Sequence, residues 1–492
     1  MNKFILAIDQ GTTGSRCFIF DSRGKIAGKA YQEFPQYFPK PGWVEHDANQ
    51  IWASIEEVIK KAISSARISP KAILAIGITN QRETTVLWDR KTQKPLARAI
   101  VWQDRRTSDI CMKLKKHEPS IRKITGLVMD PYFSATKISW LLNHTKGLRR
   151  KAQEGKVAFG TMDSWLIFKL TGGRSHATDM TNASRTLIYD IVQKRWSEKL
   201  LKLFGIPKEV LPKVFPSGAV FGHTVSVAGL PEGIPILAVM GDQQAALYGQ
   251  GCFTAGTIKN TYGTGCFMIL NTGHKMRLSS KGLLTTLACD GEGQPIYALE
   301  GSVFIAGAVI QWLRDQLKVI TDSSSTEKAI AQIKDSAGVY FVPAFVGLGA
   351  PYWDPQARGI ITGLTRGTSV KHIIRASLES MAFQTKDVFD LMQQESGLKI
   401  RSLAVDGGAC RNNFLMQFQA DILSRKVVRP RMVDSTVAGV AHLAGVKAGL
   451  WNKKNLSTMK SIDTIFKPRM SKTVSAELYE GWQKAVQQAR VH

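Results

Sequence analysis

Apolar stretches and short polar gaps alternate along the first 34 residues, and the gaps hold Asp, Gly, Thr and Ser. This pattern predicts three consecutive strands at residues 3–8, 17–20 and 25–34, with turns at 9–15 and 21–24. From Asp47 the spacing becomes helical, with Ile51, Ile55, Val58, Ile59, Ala62 and Ala66 on one face. Residues 73–78 and 84–88 read as strands around the loop Thr79-Asn80-Gln81-Arg82-Glu83. A wholly apolar strand at 234–240 ends in Gly241-Asp242 and gives way to the helical stretch QQAALYG.

The second half repeats this order. Two strands surround the turn Gly263-Thr264-Gly265, a third apolar stretch covers 282–288, and a helix is predicted from about Val303 to Leu317. A strand at 402–405 meets Asp406-Gly407-Gly408 and a helix running through Asn412 to Leu423. The polar stretch TDSSST at 321–326 reads as a surface loop. Strand triplets followed by helix–strand alternation, in both halves, predict duplicated α/β domains with mixed sheets. The boundary falls near residue 250, giving domains over 1–250 and 251–492.

The repeat includes a hairpin of phosphate size. FILAIDQGTTGSRCFIFD (4–21) and IKNTYGTGCFMILNT (258–272) each run an apolar strand into a Gly-Thr turn and out again. Glycine lets the backbone approach an anion closely, and N–H groups and Thr hydroxyls supply donors. One such turn is common in sheets. Two, one per half, point to a cleft in which each domain holds part of one polyphosphate.

Size and composition narrow the class. A chain of 492 residues exceeds one ordinary core, and 44% hydrophobic with 21% charged residues is globular composition. No apolar run reaches the roughly 18–20 residues that span a bilayer. The N-terminal FILAI is too short for a signal-peptide core. Six scattered cysteines without a CxxC pair predict a reduced, cytoplasmic protein lacking structural zinc. Lys plus Arg 66 against Asp plus Glu 39 gives a net charge of +27, with basic clusters at 113–116, 146–156, 425–431 and after Lys453. A solvated basic surface accounts for this; attraction of nucleotides, acidic partners or membrane surfaces are the alternatives. No stretch interleaves basic and aromatic residues, so specific nucleic-acid binding is not expected.

Neither GxxxxGK[ST] nor GxGxxG is present, so a phosphate site must be built from the hairpins. Asp9, before the first Gly-Thr turn, could hold the magnesium that accompanies ATP, or simply initiate the turn. Thr12, Thr13 and Arg16 follow it, and Arg suits a transferred phosphoryl group. Asp242 closes a buried strand where α/β enzymes expose functional groups; it could accept a hydroxyl proton or serve as a helix cap. Arg82 beside Glu83 offers the paired donors and acceptors that a polyol requires, although adjacent charges are also common on surfaces. Trp102, Tyr132 and Phe267 lie near predicted strand ends or loops, where core packing explains any one of them.

Taken together, these segments resemble the FGGY carbohydrate kinases along essentially the whole chain. The resemblance runs through DQGTT (9–13), PGWVEHD (41–47), GITNQRETT (77–85), IVWQ (100–103), TGLVMDPYFSATK (125–137), TNASRT (181–186), GDQQAALYGQ (241–250), KNTYGTGCFM (259–268), GLGAPYWDP (347–355) and VDGGACRNNFLMQFQADI (405–422). The family signatures YFSATKISWLLNH (132–144) and GIITGLTRGTSVKHIIRASLE (359–379) are also present. NQRETT together with GTGCFM and GDQQAA is more specific and implies glycerol as substrate.

The resemblance implies an actin-like, ribonuclease-H-like fold in two domains. It further implies ATP-dependent, magnesium-assisted phosphorylation of glycerol to sn-glycerol 3-phosphate, in glycerol uptake and catabolism. By the same resemblance Asp242 is the general base. Arg82, Glu83, Tyr132 and Gln243 hold the hydroxyls, and Trp102 and Phe267 wall the carbon backbone. Thr12, Thr13, Gly14 and Arg16 meet the transferred phosphate, with Asp9 near magnesium. Thr264, Gly307, Gln311, Gly408 and Asn412 belong to the nucleotide side. Gly14 stands where the family often carries Ser, which removes a side-chain hydroxyl and leaves backbone N–H contacts. A cytoplasmic homo-oligomer, dimer or tetramer, is the expected form. The alternatives are a kinase for xylulose, erythritol or gluconate, a catalytically quiet actin-like ATPase, and a basic interaction protein.

Overall fold

The computed structural model describes residues 3–452 and 461–491, so the basic segment after Lys453 begins outside the described residues. Two mixed sheets organise the chain. The first is built from β1 (Phe4–Gln10), β2 (Gly14–Phe20), β3 (Ile26–Glu33), β4 (Ile73–Asn80), β5 (Gly222–His223) and β6 (Pro235–Gly241). Its order is β3-β2-β1-β4-β6-β5, with β1, β4 and β6 mutually parallel and the outer strands antiparallel. The second comprises β7 (Ile258–Tyr262), β8 (Cys266–Gly273), β9 (Leu284–Cys289), β10 (Pro295–Val303), β11 (Ser402–Asp406), β12 (Lys426–Pro430) and β13 (Ile462–Phe466). Here the order is β9-β10-β8-β7-β11-β12-β13, with β7, β11 and β12 parallel. Apart from β9, the two sheets match strand for strand in order and direction. The duplication in the apolar pattern is therefore a duplication of topology.

Local sequence explains these elements. In β1 every residue of FILAI is buried, as a strand covered on both faces requires. Helix α1 (Ala48–Ala66) is capped by the Asp47 carboxylate, which accepts from the Asn49 N–H at 2.8 Å. Its apolar face buries Ile51, Ile55, Val58 and Ile59 completely, each contributing roughly 1.5–3 kcal/mol. The helix lies close to β3: a Cβ on Gly28 would come within 2.5 Å of the Ala62 carbonyl oxygen.

The two halves interlock through their small-residue helices α2 (Asp242–Gly249) and α6 (Ser435–Lys447). Ala245 and Tyr248 of α2 share one core with Val437, Val440, Ala441 and Ala444 of α6 and with Ile5 and Ala7 of β1. Leu247 of α2 instead packs with Ile269, Ala298 and Ala404 of the second sheet. A Cβ on Gly439 would sit 1.9 Å from the Ala245 carbonyl oxygen, so the crossing depends on glycine at that position.

Three sequence expectations are corrected. The predicted strand at 84–88 is Val86–Asp89, and it pairs with Val157–Gly160 outside the main sheet. The stretch from Val303 is not one helix: β10 runs to Val303, and α3 begins only at Gly307 and ends at Asp315. Residues 321–326 are not merely a surface loop. The Asp322 carboxylate accepts from the N–H groups of Ser324 and Ser325, a short helix follows at Ser325–Ile330, and Thr326 is fully buried.

Candidate active site

The parallel strands β4 and β6 end side by side, and the residues that follow them bring Arg82 against Asp242. Gly241 pairs with Asn80 at the strand ends. One residue on, Asp242 starts α2 with its side chain one-third exposed. After β4 the chain turns through Arg82 and Glu83, both almost fully buried. Glu83 has φ +61°, a left-handed conformation costly for a residue with a side chain. Ser134 Oγ and Thr85 Oγ1 donate to its carbonyl oxygen and hold it there.

Arg82 and Glu83 belong to a larger buried charge cluster. Arg82 Nε lies 3.1 Å from Asp242 Oδ1. Its Nη1 and Nη2 donate to the two carboxylate oxygens of Glu300 at 2.6 and 3.0 Å. Arg185 donates to Glu83 through Nε at 2.6 Å and to Glu300 through Nη2 at 2.9 Å. Burial raises the Glu300 carboxyl, but Arg185 and Arg82 outweigh it and hold the group down at about 2. The Tyr132 hydroxyl closes the cluster at 3.5 Å from Arg82 Nη2.

The three aromatic candidates, drawn from distant segments, meet at one place. The Trp102 ring lies edge-on to Tyr132, with centroids 5.6 Å apart, and to Phe267 at 6.5 Å. Trp102 Nε1 also donates to Thr12 Oγ1 at 3.0 Å, which joins this wall to the first Gly-Thr turn. Gln243 sits beside the group, its Oε1 accepting from the buried Lys259 ammonium at 2.5 Å.

A recess of about 470 Å³ is bordered by Thr264, Gly307, Gln311, Gly408 and Asn412. All five nucleotide-side candidates therefore line one cavity. Gly307 is pressed onto the hairpin: its N–H donates to Gly263 O at 2.9 Å, and a Cβ would fall 2.5 Å from that oxygen. Asn412 has a structural duty as well, capping Asn413–Leu423 through the Leu415 N–H and donating to Thr326. Thr264 lines the cavity while Phe267, three residues on, faces Trp102. The second hairpin thus borders both this cavity and the aromatic wall.

Asp9 and Arg16, cross-strand partners in β1 and β2, stand apart from the buried cluster. Burial pushes the Asp9 carboxyl up to about 6; Arg16 opposes this, while the charges of Asp242 and Asp434 add to it. Arg16 is exposed and reaches across to Asp434 at 3.2 Å. Thr13 is exposed at the tip of the turn. At Gly14, the space a Cβ would take is filled by Tyr31, whose hydroxyl would lie 2.7 Å from it. Among the described residues no three His, Cys, Asp or Glu side chains converge as a metal site.

Sequence reasoning missed Glu300, Arg185, Lys259 and Asp434, and also Gln244, whose Oε1 accepts from Arg82 Nη1 at 3.2 Å. A signal existed for Glu300, the lone charge in the apolar run PIYALEGSV, and for Lys259, the lone charge in its strand. Their partners lie far off in sequence, so neighbouring residues gave no indication of them.

Known proteins resemble this chain along both halves. The FGGY family of carbohydrate kinases, N-terminal domain, matches residues 4–249, and the C-terminal domain of that family matches 258–448. The chain is 54% identical to glycerol kinase of Alkaliphilus metalliredigens over 492 residues, covering 99% of this chain and 98% of that one. Identity to glycerol kinase of Listeria monocytogenes is also 54%, with 99% of each chain covered. Among solved structures, Plasmodium falciparum glycerol kinase with ADP superposes with a TM-score of 0.94 at 36% identity, covering 100% of this chain and 99% of that chain. Gluconate kinase from Lactobacillus acidophilus, at 24% identity and covering 100% of this chain and 98% of that one, shares the fold with a TM-score of 0.87. Matched across both halves by the family's two domains, the chain belongs to the FGGY family of carbohydrate kinases.

Proposed function

We infer that the protein transfers the terminal phosphoryl group of ATP to a terminal hydroxyl of glycerol, releasing ADP and sn-glycerol 3-phosphate. The observation that carries this reading is the second hairpin, which borders a nucleotide-sized cavity at Thr264 and a compact aromatic wall at Phe267. Glycerol kinases 54% identical over nearly the whole chain support glycerol rather than a longer sugar. The related Plasmodium falciparum structure with ADP supports the nucleotide.

In this mechanism the Asp242 carboxylate accepts the hydroxyl proton as the glycerol oxygen bonds to phosphorus and the bond from phosphorus to the ADP oxygen breaks. Arg82, ion-paired with Asp242 at 3.1 Å, keeps that carboxylate facing the polyol. Arg82, Glu83, Tyr132 and Gln243 supply the donors and acceptors for the hydroxyls, and Trp102 and Phe267 exclude water, the competing nucleophile. Thr12, Thr13, the Gly14 N–H and Arg16 meet the transferred group, which requires Arg16 to exchange Asp434 for phosphate. Thr264, Gly307, Gln311, Gly408 and Asn412 hold the nucleotide.

Magnesium fits beside Asp9. Its raised carboxyl is crowded by the charges of Asp242 and Asp434, which a divalent cation would offset. With no cluster of three metal-type side chains among the described residues, the ion would keep most of its ligands as water and phosphate oxygens. When bound it neutralises charge on the polyphosphate. Homo-oligomeric assembly and a cytoplasmic setting belong to the same proposal; six buried cysteine thiols suit a reducing compartment.

Asp242→Asn tests the chemistry. It is expected to lower kcat by a factor on the order of 10²–10⁴ while ADP binding persists. Full activity in that variant would overturn the reading.

A further inference from the structure

Lys259 lies in β7 with its side chain completely buried, a costly place for an ammonium group. Burial lowers its pKa to about 8, even with Asp406 and Asp242 nearby to favour the charged form. It has three acceptors for its three hydrogens: Gln243 Oε1 at 2.5 Å, Thr261 Oγ1 at 2.7 Å and Phe267 O at 3.2 Å. Two of these belong to the polyol side, one from each half of the chain.

An ammonium group donates and never accepts, so the atom of the Gln243 carboxamide that faces it must be the oxygen. The amide nitrogen then points the other way. It makes no hydrogen bond among the described residues, and it is not among the sealed, unpaired polar atoms, so it keeps access to solvent. The Gln243 backbone is anchored too, its N–H donating to Asp242 Oδ1 at 2.7 Å. Only the direction of the amide is left for Lys259 to decide.

We propose that Lys259 is a positioning residue for the polyol: by holding the Gln243 oxygen, it presents the amide NH2 to a substrate hydroxyl oxygen as a donor. This rests on the reading that Gln243 contacts glycerol. In a variant without Lys259 the amide rotates freely, and half of its orientations offer an acceptor where a donor is required. The same ammonium ties Gln243 to the Phe267 carbonyl, so one side chain sets a polar contact and an apolar wall together.

The test is steady-state kinetics on Lys259→Met, Gln243→Ala, Gln243→Glu and the Lys259→Met/Gln243→Ala double variant, with ATP KM and thermal midpoint as controls. Lys259→Met is expected to raise the glycerol KM about tenfold and leave the ATP KM within about twofold. Gln243→Glu keeps an acceptor for Lys259 but replaces NH2 by oxygen, so it is expected to be at least as damaging as Gln243→Ala. In the double variant Lys259→Met adds nothing to the rise from Gln243→Ala, because it acts through that amide. An unchanged glycerol KM in Lys259→Met, multiplying effects in the double variant, or a wild-type KM in Gln243→Glu would overturn the proposal. If Lys259→Met does not fold, the comparison of Gln243→Glu with Gln243→Ala still decides which end of the amide meets the substrate. If Gln243→Ala itself leaves the glycerol KM unchanged, the polyol-pocket assignment falls and the role of Lys259 falls with it.

Discussion

Glu300, from the second half of the chain, holds Arg82 of the first half in a two-pronged ion pair across 218 residues of sequence. The pair is fully buried, and Arg185 shares the same carboxylate. Such clusters stabilise poorly when compared with apolar packing, yet losing one member strands the others without compensation. Its value here lies in joining the two halves of the chain beside Asp242.

Glu300→Gln should therefore act on both stability and substrate. It leaves Arg82 and Arg185 with one carboxylate fewer, and a destabilisation of about 3 kcal/mol follows for a broken buried pair. Thermal unfolding would register this as a lower midpoint, accompanied by a raised glycerol KM. Because the folded Glu300 carboxyl is held at about 2 against an ordinary 4.5, its contribution is present above about pH 4.5 and lost as pH falls towards 2. The variant should lack that acid dependence.

Arg82→Ala removes the group that links Glu300, Asp242 and the Tyr132 hydroxyl. A steep rise in the glycerol KM, of tenfold or more, is expected from losing a charged hydrogen-bonding group. The ATP KM should change little, since Arg82 does not border the nucleotide cavity. An unchanged glycerol KM would remove Arg82 from the pocket.

A different carboxylate contributes to the pH dependence of stability on the way to neutral pH. Asp163 accepts from Thr161 Oγ1 and Thr178 Oγ1, and burial raises it to about 7, with the charge of Asp179 adding to the effect. A carboxyl raised on folding stabilises fully below its unfolded value near 3.8, and that contribution is lost as pH rises through about 7. Asp163→Asn should make the thermal midpoint less dependent on pH between about 4 and 7. Asp387, also raised to about 7, should preserve part of the slope.

The strands and the duplication were legible because their signals are local: FILAI is apolar throughout, and each Gly-Thr turn interrupts an apolar run. Local signals misled at Val303, where the end of one strand and the start of the next helix are both apolar and only Gly307 marks the change. At 321–326 polarity suggested exposure, but those hydroxyls and the Asp322 carboxylate serve local hydrogen bonds that start a helix beside the cavity at Thr264 and Asn412. Most residues proposed to touch ligands lie in short motifs that a sequence displays directly. Glu300 and Lys259 do not, because a buried charge is explained only by partners that the fold brings from elsewhere.

ADP release by the purified protein, supplied with ATP and with glycerol, dihydroxyacetone, erythritol, xylulose or gluconate in turn, tests the central claim most directly. The compact wall of Trp102, Tyr132 and Phe267 beside Asp242 predicts the highest kcat/KM for glycerol. A higher value for any other substrate, or ADP release indifferent to all five, would contradict it.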